Sequence, residues 1–253
     1  MKKIKDNIRY TTIAIILIAV LTYIPLFQLL YYSFTNWNLL SAEYNFVGLQ
    51  NYEWLFTGVG SKYLWNALYV TIIYSLGTIF FTVIGGLILA ILLRNNSKLN
   101  SICRSIIFLP RYISLSASAI IFLWILNSNN GILNQILLKF DITTFDWFSN
   151  CTTALLALIL VSAWKNIGYG MLIYIAAMAN IQSKYYDSAM LDGANKIEQF
   201  KVVTLPYLKP SIIFLTITSF VAGMKAFQTI DIMTEGGPFR STEAFILKVT
   251  KVL

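Results

Sequence analysis

Histidine is absent from this sequence and charged residues are scarce, and each shortage removes a class of function. Of the 253 residues none is histidine, 12% are charged, and two are cysteine, Cys103 and Cys151. A soluble domain carries about 25% charged residues, so this chain has too few polar side chains to cover a water-facing surface. A histidine-based metal site or general base is excluded, and two well-separated cysteines make no disulfide framework. We therefore predict neither catalytic nor metal-binding residues.

Long apolar runs take the place of the missing polar residues, and 57% of the chain is hydrophobic. A membrane-spanning helix needs about 20 predominantly apolar residues. The segments that meet or approach this length are 11–33, 67–93, 105–127, 152–179 and 211–231. The pattern predicts an all-α, polytopic membrane helix bundle that forms a single transmembrane domain over residues 1–253.

Basic residues between the apolar runs predict the orientation. The N-terminus and the loops 94–104 and 181–210 are basic, whereas the loops on the other side hold one lysine each, Lys62 and Lys139. The N-terminal cluster is Lys2, Lys3, Lys5 and Arg9. Because Lys and Arg accumulate on the cytoplasmic side, we expect a cytoplasmic N-terminus. Short basic clusters beside apolar runs are typical of contact with a lipid bilayer and not of a nucleic-acid-binding face.

The cytoplasmic segment 181–210 is too polar to be a span and predicts a helical hairpin. Ser183 is expected to cap a first short helix, and Gly193 permits a sharp bend. A second amphipathic stretch is expected to end at Pro206 and Pro210, where the next span begins. Its inward positions are expected to be Ile197, Phe200 and Val203. An amphipathic element lying at the membrane interface is an equally good physical interpretation of this segment.

The spacing within this hairpin resembles the cytoplasmic signature of ABC-importer permeases, which is E-A-A, three residues, G, nine residues, I, one residue, L-P. Here Asp187-Ser188-Ala189 is followed after three residues by Gly193, and Val203, Thr204 and Leu205-Pro206 complete the pattern at the same spacing. In that family the hairpin docks in a cleft of the cytoplasmic ATPase subunit. The ATPase-coupling positions that the resemblance implies are Asp187, Ser188, Ala189, Asp192, Gly193, Ala194, Leu205 and Pro206.

Further motifs are similar to those of the maltose-type sugar branch of this family. The matching segments are SFTNW at 33–37, FVGLQNY at 46–52, FLP at 108–110, GILN at 131–134 and MTEGGP at 233–238 with Ser241-Thr242. The resemblance implies the type I ABC-importer permease fold and a sugar or oligosaccharide as the solute. Gly and Pro at 236–238 are also what an ordinary tight turn requires. A permease of the same superfamily for another solute is therefore an alternative.

Two lysines within predicted spans, Lys165 and Lys225, suggest a translocation path. Charges inside spans are costly and usually face the bundle interior or a water-filled path. Alternatively, the two lysines snorkel or pair with an acid such as Asp231. Aromatic rings near them could stack on sugar rings, although aromatic residues at such spacing more often serve plain packing. The predicted path is Trp164, Lys165, Tyr169, Lys225, Phe227 and Gln228, the last at a position where family members often carry Asp.

The partners follow from the resemblance and from one missing motif. The sequence has no Gly-x4-Gly-Lys-Ser/Thr phosphate loop, so we expect it to bind no cofactor and a partner subunit to hydrolyse ATP. The resemblance implies assembly with a second permease, a cytoplasmic ATPase dimer and an extracytoplasmic solute-binding protein, in the inner or plasma membrane of a bacterium.

The sequence departs from the family after the Gly-Gly-Pro turn. Family members continue into a sixth span, whereas here only ILKVTKVL follows Phe245, which is too short to cross a membrane. Five spans are thus present and the usual sixth is missing, so we expect either a fragment or a permease truncated by a frameshift or early stop, transport-incompetent in the latter case. A polytopic membrane enzyme is the less favoured class, because Asp187, Asp192 and Glu198 have the hairpin spacing and not that of a metal set.

Overall fold

The computed structural model describes residues 11–37 and 43–245. The basic N-terminal residues and the closing ILKVTKVL stretch lie outside the described residues. Within those two ranges the regular structure is helical, apart from one isolated β-bridge between Thr35 and Phe46, which confirms the all-α prediction. The chain forms two compact units, Met1–Trp65 and Asn66–Val252, which we describe one at a time.

The first unit holds two helices, α1 (Thr11–Tyr32) and α2 (Gln50–Phe56), and the described residues just after α1 are bonded to the start of α2. The side-chain amide of Asn51 donates to the carbonyl oxygens of Ser33 at 2.9 Å and Thr35 at 2.8 Å. The hydroxyls of Ser33 and Tyr52 lie 2.8 Å apart. The two motifs at 33–37 and 46–52 therefore bond to each other, and their residue types are explained by this local structure.

The second unit holds most of the helices. Their bounds are α3 Gly60–Leu93, whose first residues up to Trp65 belong to the first unit, α4 Lys98–Phe108, α5 Leu115–Ile125, α6 Ile132–Lys139, α7 Cys151–Ala179, α8 Ser183–Leu191, α9 Lys196–Met224 and α10 Gln228–Thr234. Among the described residues, four helices are long and apolar enough to cross a membrane, namely α1, α3, α7 and α9. The bent pair formed by α4 and α5 makes a fifth span if it is counted as one. The predicted and observed bounds of α1 and α7 agree within one residue, whereas α3 begins well before the predicted 67.

The predicted span 105–127 is not one straight helix. A 3-10 turn, Leu109–Tyr112, follows α4, and the axis then bends by 105° before α5. Pro110 lies in this turn and has no N–H to continue the α-helical ladder. Ile113 is extended, with φ −69° and ψ 135°, and the hydroxyl of Ser114 then caps α5 by accepting from the N–H of Ala117 at 3.1 Å. The bend is thus a helix stop followed by a new helix start.

The predicted span 211–231 also has different bounds. Helix α9 runs without interruption from Lys196 to Met224, so Pro206 and Pro210 lie inside it and do not separate two elements. The reason is a π-helical turn just before Pro206, in which the N–H of Leu205 donates to the carbonyl of Phe200, five residues earlier. Such a wider turn gives room for the proline ring, which would clash with a regular α-helical turn.

Helix α7 forms the centre of the second unit and packs against α3, α4 and α9. Leu158, Met171 and Tyr174 are fully buried on it. Small residues allow α3 to approach closely, since a Cβ atom placed on Gly86 would lie 2.9 Å from the carbonyl carbon of Gly170. This tight crossing fixes the positions of the α3 and α7 side chains that line the cavity described next.

Candidate functional site

A cavity of about 730 Å³ lies in the second unit, with walls formed by α3, α7, α9, the start of α10 and the bend between α4 and α5. The predicted path residues that line it are Lys165, Tyr169, Lys225, Phe227 and Gln228. Trp164 is not among the lining residues, and its ring makes an edge contact with Phe122, with centroids 5.1 Å apart. The structure thus brings five of the six predicted positions to one cavity.

Helix α3 adds a polar wall that we did not predict. Tyr74, Thr78 and Thr82 line the cavity, and the hydroxyl of Tyr74 hydrogen-bonds to the hydroxyl of Ser162 on α7. The Thr82 hydroxyl is buried and has no hydrogen-bond partner among the described residues. A sequence signal was available, because Thr71, Ser75, Thr78 and Thr82 recur every three or four residues in an otherwise apolar run, which marks one helix face.

Arg111 is the second feature that the sequence analysis missed. It lies in the 3-10 turn at the bend, lines the cavity, and its Nη1 donates to Oδ1 of Asn166 at 2.5 Å. Its guanidinium carbon lies 4.8 Å from the centre of the Tyr169 ring, a cation–π arrangement. Asn166 is itself held by a 2.8 Å bond from its amide to the carbonyl of Ser162. A sequence signal was available, because Arg111 is a charged residue inside the predicted span 105–127, as Lys165 and Lys225 are in theirs.

The surroundings of the two lysines differ. Lys165 is 6% exposed, and its ammonium donates to the carbonyl oxygens of Pro110 (3.2 Å) and Ile113. Neither pairing with Asp231 nor snorkelling describes this residue. Lys225 is the C-terminal cap of α9, and its exposed side chain lines the cavity from the end of a helix and not from the middle of a span.

The lining is suited to a polar organic solute. Thr78, Asn166 and Gln228 contribute hydroxyl- and amide-bearing residues to the lining, beside Tyr169 and Phe227. Aromatic faces combined with a few positioned polar groups are what small-molecule sites use to bind and orient a ligand.

The hairpin at 181–210 has the predicted bend but different details. Helix α8 begins at Ser183, whose predecessor Gln182 is the N-cap and makes no side-chain capping bond, so Ser183 is not the cap. Gly193 has φ +84°, a conformation that favours glycine, and the N–H of Ala194 returns to the carbonyl of Ala189 at 2.9 Å. These bonds produce the sharp reversal that the sequence predicted.

The start of α9 has a reciprocal cap that the sequence analysis missed. The side chain of Asn195 accepts from the N–H of Glu198 at 3.1 Å, and the Glu198 carboxylate accepts from the N–H of Asn195 at 2.7 Å. Val203 is buried with Ile181 and Ala189, as expected for an inward position. Ile197 is 68% exposed, which contradicts its predicted inward position. It lies in the first turn of α9 and is not part of this small core.

Most of the predicted coupling positions lie on the surface of the hairpin. Ala189 is buried and Ala194 half-buried. The exposed positions are Asp187, Ser188, Asp192, Gly193, Leu205 and Pro206. The tip carries an additional apolar side chain, Leu191, which is 89% exposed. The hairpin is thus internally fixed by Ala189 and Val203, and it presents a mixed polar and apolar outer face.

Membrane-crossing helices, a polar cavity between them and a rigid polar hairpin together define a membrane transport permease. Residues 82–244 match the family described as binding-protein-dependent transport system inner membrane component. The chain belongs to this family, which confirms the resemblance seen in the sequence.

Similar proteins agree with this assignment. The chain is 35% identical to the probable ABC transporter permease protein YurN of Bacillus subtilis, over 87% of this chain and 76% of the relative. It is 32% identical to the multiple sugar-binding transport system permease protein MsmF of Streptococcus mutans, over 95% of this chain and 81% of the relative. Among solved structures, a bacterial ABC transporter that imports the acidic polysaccharide alginate matches with a TM-score of 0.83 and 21% identity, over 99% of this chain and 86% of the matched chain. This last similarity concerns the fold.

Proposed function

We propose that this chain is the permease subunit that conducts a sugar or oligosaccharide across the membrane in an ATP-driven, binding-protein-dependent importer. The observation that carries the proposal is the polar, aromatic-walled cavity formed by α3, α7, α9 and α10. The names of the relatives support the class of solute, since they include a multiple sugar-binding system and an arabinooligosaccharide system of Bacillus subtilis.

The cavity has the groups that carbohydrates require. A sugar ring has apolar C–H faces that stack on aromatic rings, here Tyr169 and Phe227, and a rim of hydroxyls that exchange hydrogen bonds with side chains. Asn166 and Gln228 offer both donors and acceptors at that rim. In this proposal Trp164 supports the wall through its packing on Phe122 and does not touch the solute.

The hairpin couples the cavity to ATP hydrolysis. We assign the exposed positions Asp187, Asp192 and Leu191 to contact with a cytoplasmic ATPase subunit, and the buried Ala189 and Val203 to rigidity of the hairpin. Because α9 continues from the hairpin directly into the membrane-crossing helix, a movement of the hairpin moves one wall of the cavity. A partner ATPase dimer thus hydrolyses ATP and drives the rearrangement.

The remaining partners complete the importer. A second permease subunit closes the open side of the cavity, and an extracytoplasmic solute-binding protein delivers the solute. The solved alginate transporter that this chain resembles at a TM-score of 0.80 was determined in complex with its periplasmic protein, bound to an alginate pentasaccharide. With a cytoplasmic N-terminus, the hairpin faces the ATPase in the bacterial cell membrane.

Co-purification tests the coupling role. The chain is expressed with the neighbouring transport genes, extracted in detergent, and compared with an Asp187→Ala/Gly193→Val variant and with Glu53→Ala, an exposed acid on the predicted outer side. An ATPase that accompanies the wild type and Glu53→Ala but not the double variant is the expected result. Equal recovery with the double variant contradicts the coupling role, and stimulation of ATP hydrolysis by amino acids but by no sugar contradicts the class of solute.

A further inference from the structure

The charge of the cavity is one-sided. The cationic residues that line it are Arg111, Lys165 and Lys225, and the described lining residues include neither Asp nor Glu. Hydroxyls, amides and aromatic rings make up the rest of the polar lining. A neutral solute needs no such excess of positive charge, so this feature calls for an explanation.

Two of these cations have hydrogen-bond donors to offer. A guanidinium has five N–H donors, and Arg111 directs one of them to Asn166. Lys225 has three donors, and its ammonium has no hydrogen-bond or ion-pair partner within the described ranges 11–37 and 43–245. Lys165 differs, because it is buried and its ammonium already uses two of its three donors, on Pro110 and Ile113. Arg111 and Lys225 are therefore the groups available to a ligand.

An anionic ligand uses these donors better than a neutral one. Arg111 and Lys225 are exposed in the isolated chain, and a cavity lined by charges of one sign raises the local concentration of the opposite charge. A guanidinium binds a carboxylate through two parallel hydrogen bonds. The Tyr169 ring and Asn166 fix the plane of the Arg111 guanidinium, so its free edge is oriented before the ligand arrives.

We infer that the solute is an oligosaccharide that bears a carboxylate, of the uronic acid type, with Arg111 binding the carboxylate and Lys225 adding a second positive charge. The inference rests on the proposed function, since it names the chemical class of the sugar in the same cavity. Tyr169 then has two tasks, to stack on the sugar ring and to hold the guanidinium.

The test uses the assembled importer in proteoliposomes with its own solute-binding protein. The probes are uronic acid oligosaccharides, each paired with its carboxyl-reduced, neutral counterpart, and the readout is the acidic-to-neutral ratio of kcat/KM for stimulated ATP hydrolysis and uptake. The binding protein also selects among solutes, so the ratio is compared between cavity variants that share the same binding protein. Variants are Arg111→Gln, Arg111→Lys and Lys225→Gln, with Lys98→Gln as a control that removes an exposed charge away from the cavity.

We expect the wild type and Lys98→Gln to share one ratio in favour of the acidic probe, and Arg111→Gln to lower that ratio about tenfold, the usual size of a charge-assisted hydrogen bond. Arg111→Lys should restore part of it, because the charge returns without the planar fork. Lys225→Gln should lower the ratio less than Arg111→Gln does, because the ammonium that it removes is a flexible point charge.

Three results have distinct meanings. Stimulation by the neutral probes with no response to the acidic ones overturns the inference and leaves the proposed function intact. An unchanged ratio in Arg111→Gln with a lower yield of assembled importer, restored in Arg111→Lys, overturns it too and assigns Arg111 to subunit assembly. Stimulation by no carbohydrate, acidic or neutral, contradicts the proposed function itself.

Discussion

The ammonium nitrogen of Lys165 lies 3.2 Å from the carbonyl oxygen of Pro110 and donates to the carbonyl of Ile113 as well. A helix that stops leaves carbonyls without intrahelical N–H partners, and in a membrane protein other protein groups or a water-filled cavity must satisfy such irregular backbone. Lys165 on α7 reaches the bend between α4 and α5 and donates to two carbonyls there, of which that of Pro110 also accepts from the N–H of Ile113 at 3.2 Å. A charge buried within a span thus stabilises a broken helix.

Replacing Lys165 by Met should destabilise the protein while preserving the volume of the side chain. The carbonyl of Ile113 would lose its donor while that of Pro110 would keep the N–H of Ile113, so the expected cost is about 1–3 kcal/mol for one group left unsatisfied. The expected result is a clearly lower unfolding midpoint in detergent. Lys98→Met provides the control. Lys98 is exposed, so this variant should unfold at the same midpoint as the wild type. An unchanged midpoint in Lys165→Met would show that the bend is held by other contacts.

The exposed Leu191 at the tip of the hairpin should matter to the ATPase partner and not to folding. At 89% exposure its side chain contributes little to the isolated chain. Burying a leucine in a partner cleft stabilises a complex by about 1.5–3 kcal/mol, so Leu191→Asp should weaken ATPase binding by about tenfold or more. Affinity is measured by titrating the ATPase onto the purified permease.

The matched control for this prediction is Phe239→Asp. Phe239 is also an exposed apolar residue, at 92%, but it lies in the turn after Pro238, on the predicted outer side. The Phe239→Asp variant should therefore bind the ATPase as tightly as the wild type does. Equal losses for both variants would indicate a general effect of added charge, and no loss for Leu191→Asp would remove this residue from the docking surface.

Apolar length and signature spacing predicted a large part of this structure. The bounds of α1 and α7 followed from their runs of apolar residues, and the reversal at Gly193 followed from the need for a positive φ. The cavity positions on α7 and α10 were also found, since charges within apolar runs mark interior faces. These features depend on neighbours in sequence, which is why local patterns reveal them.

The features that were not predicted depend on distant partners. Pro110 is a local signal for a helix break, but the donor that stabilises the bend comes from Lys165, more than fifty residues later in the sequence. The continuation of α9 through Pro206 depends on a π-helical turn, and no residue pattern in 196–210 predicts that turn. Arg111 is a charge within the predicted span 105–127, but its position beside Tyr169 follows only from the bend.

Two neighbouring glycines of α3 offer a sharp test of the α3–α7 crossing. A Cβ atom on Gly86 would lie 2.9 Å from the backbone of Gly170, whereas one on Gly85 would lie 2.8 Å from the tip of the Ile167 side chain. A side-chain tip can move and a helix backbone cannot move alone. Gly86→Ala should therefore destabilise by about 1–3 kcal/mol, as overpacking does, and Gly85→Ala by much less. The test compares the thermal unfolding midpoints of both variants in detergent. Equal midpoints would contradict the close crossing of α3 and α7.

The last prediction concerns Asn134, the final residue of the GILN segment, which is fully buried. Its amide nitrogen lies 2.9 Å from the carbonyl oxygens of both Ser128 and Phe145, and its Oδ1 accepts from the N–H of Phe145 at 3.2 Å. One side chain thus joins the segment before α6 to the segment after it.

Asn134→Asp keeps the shape but turns the donor into an acceptor, which places a buried negative charge against carbonyl oxygens. The loss should exceed about 3 kcal/mol, since buried donors are lost and a charge is left unpaired. Asn130→Asp, an exposed neighbour, serves as the control, and both are compared by yield and unfolding midpoint. If Asn134→Asp unfolds like the control, the connection around α6 is held by its apolar contacts, and the asparagine is not what fixes it.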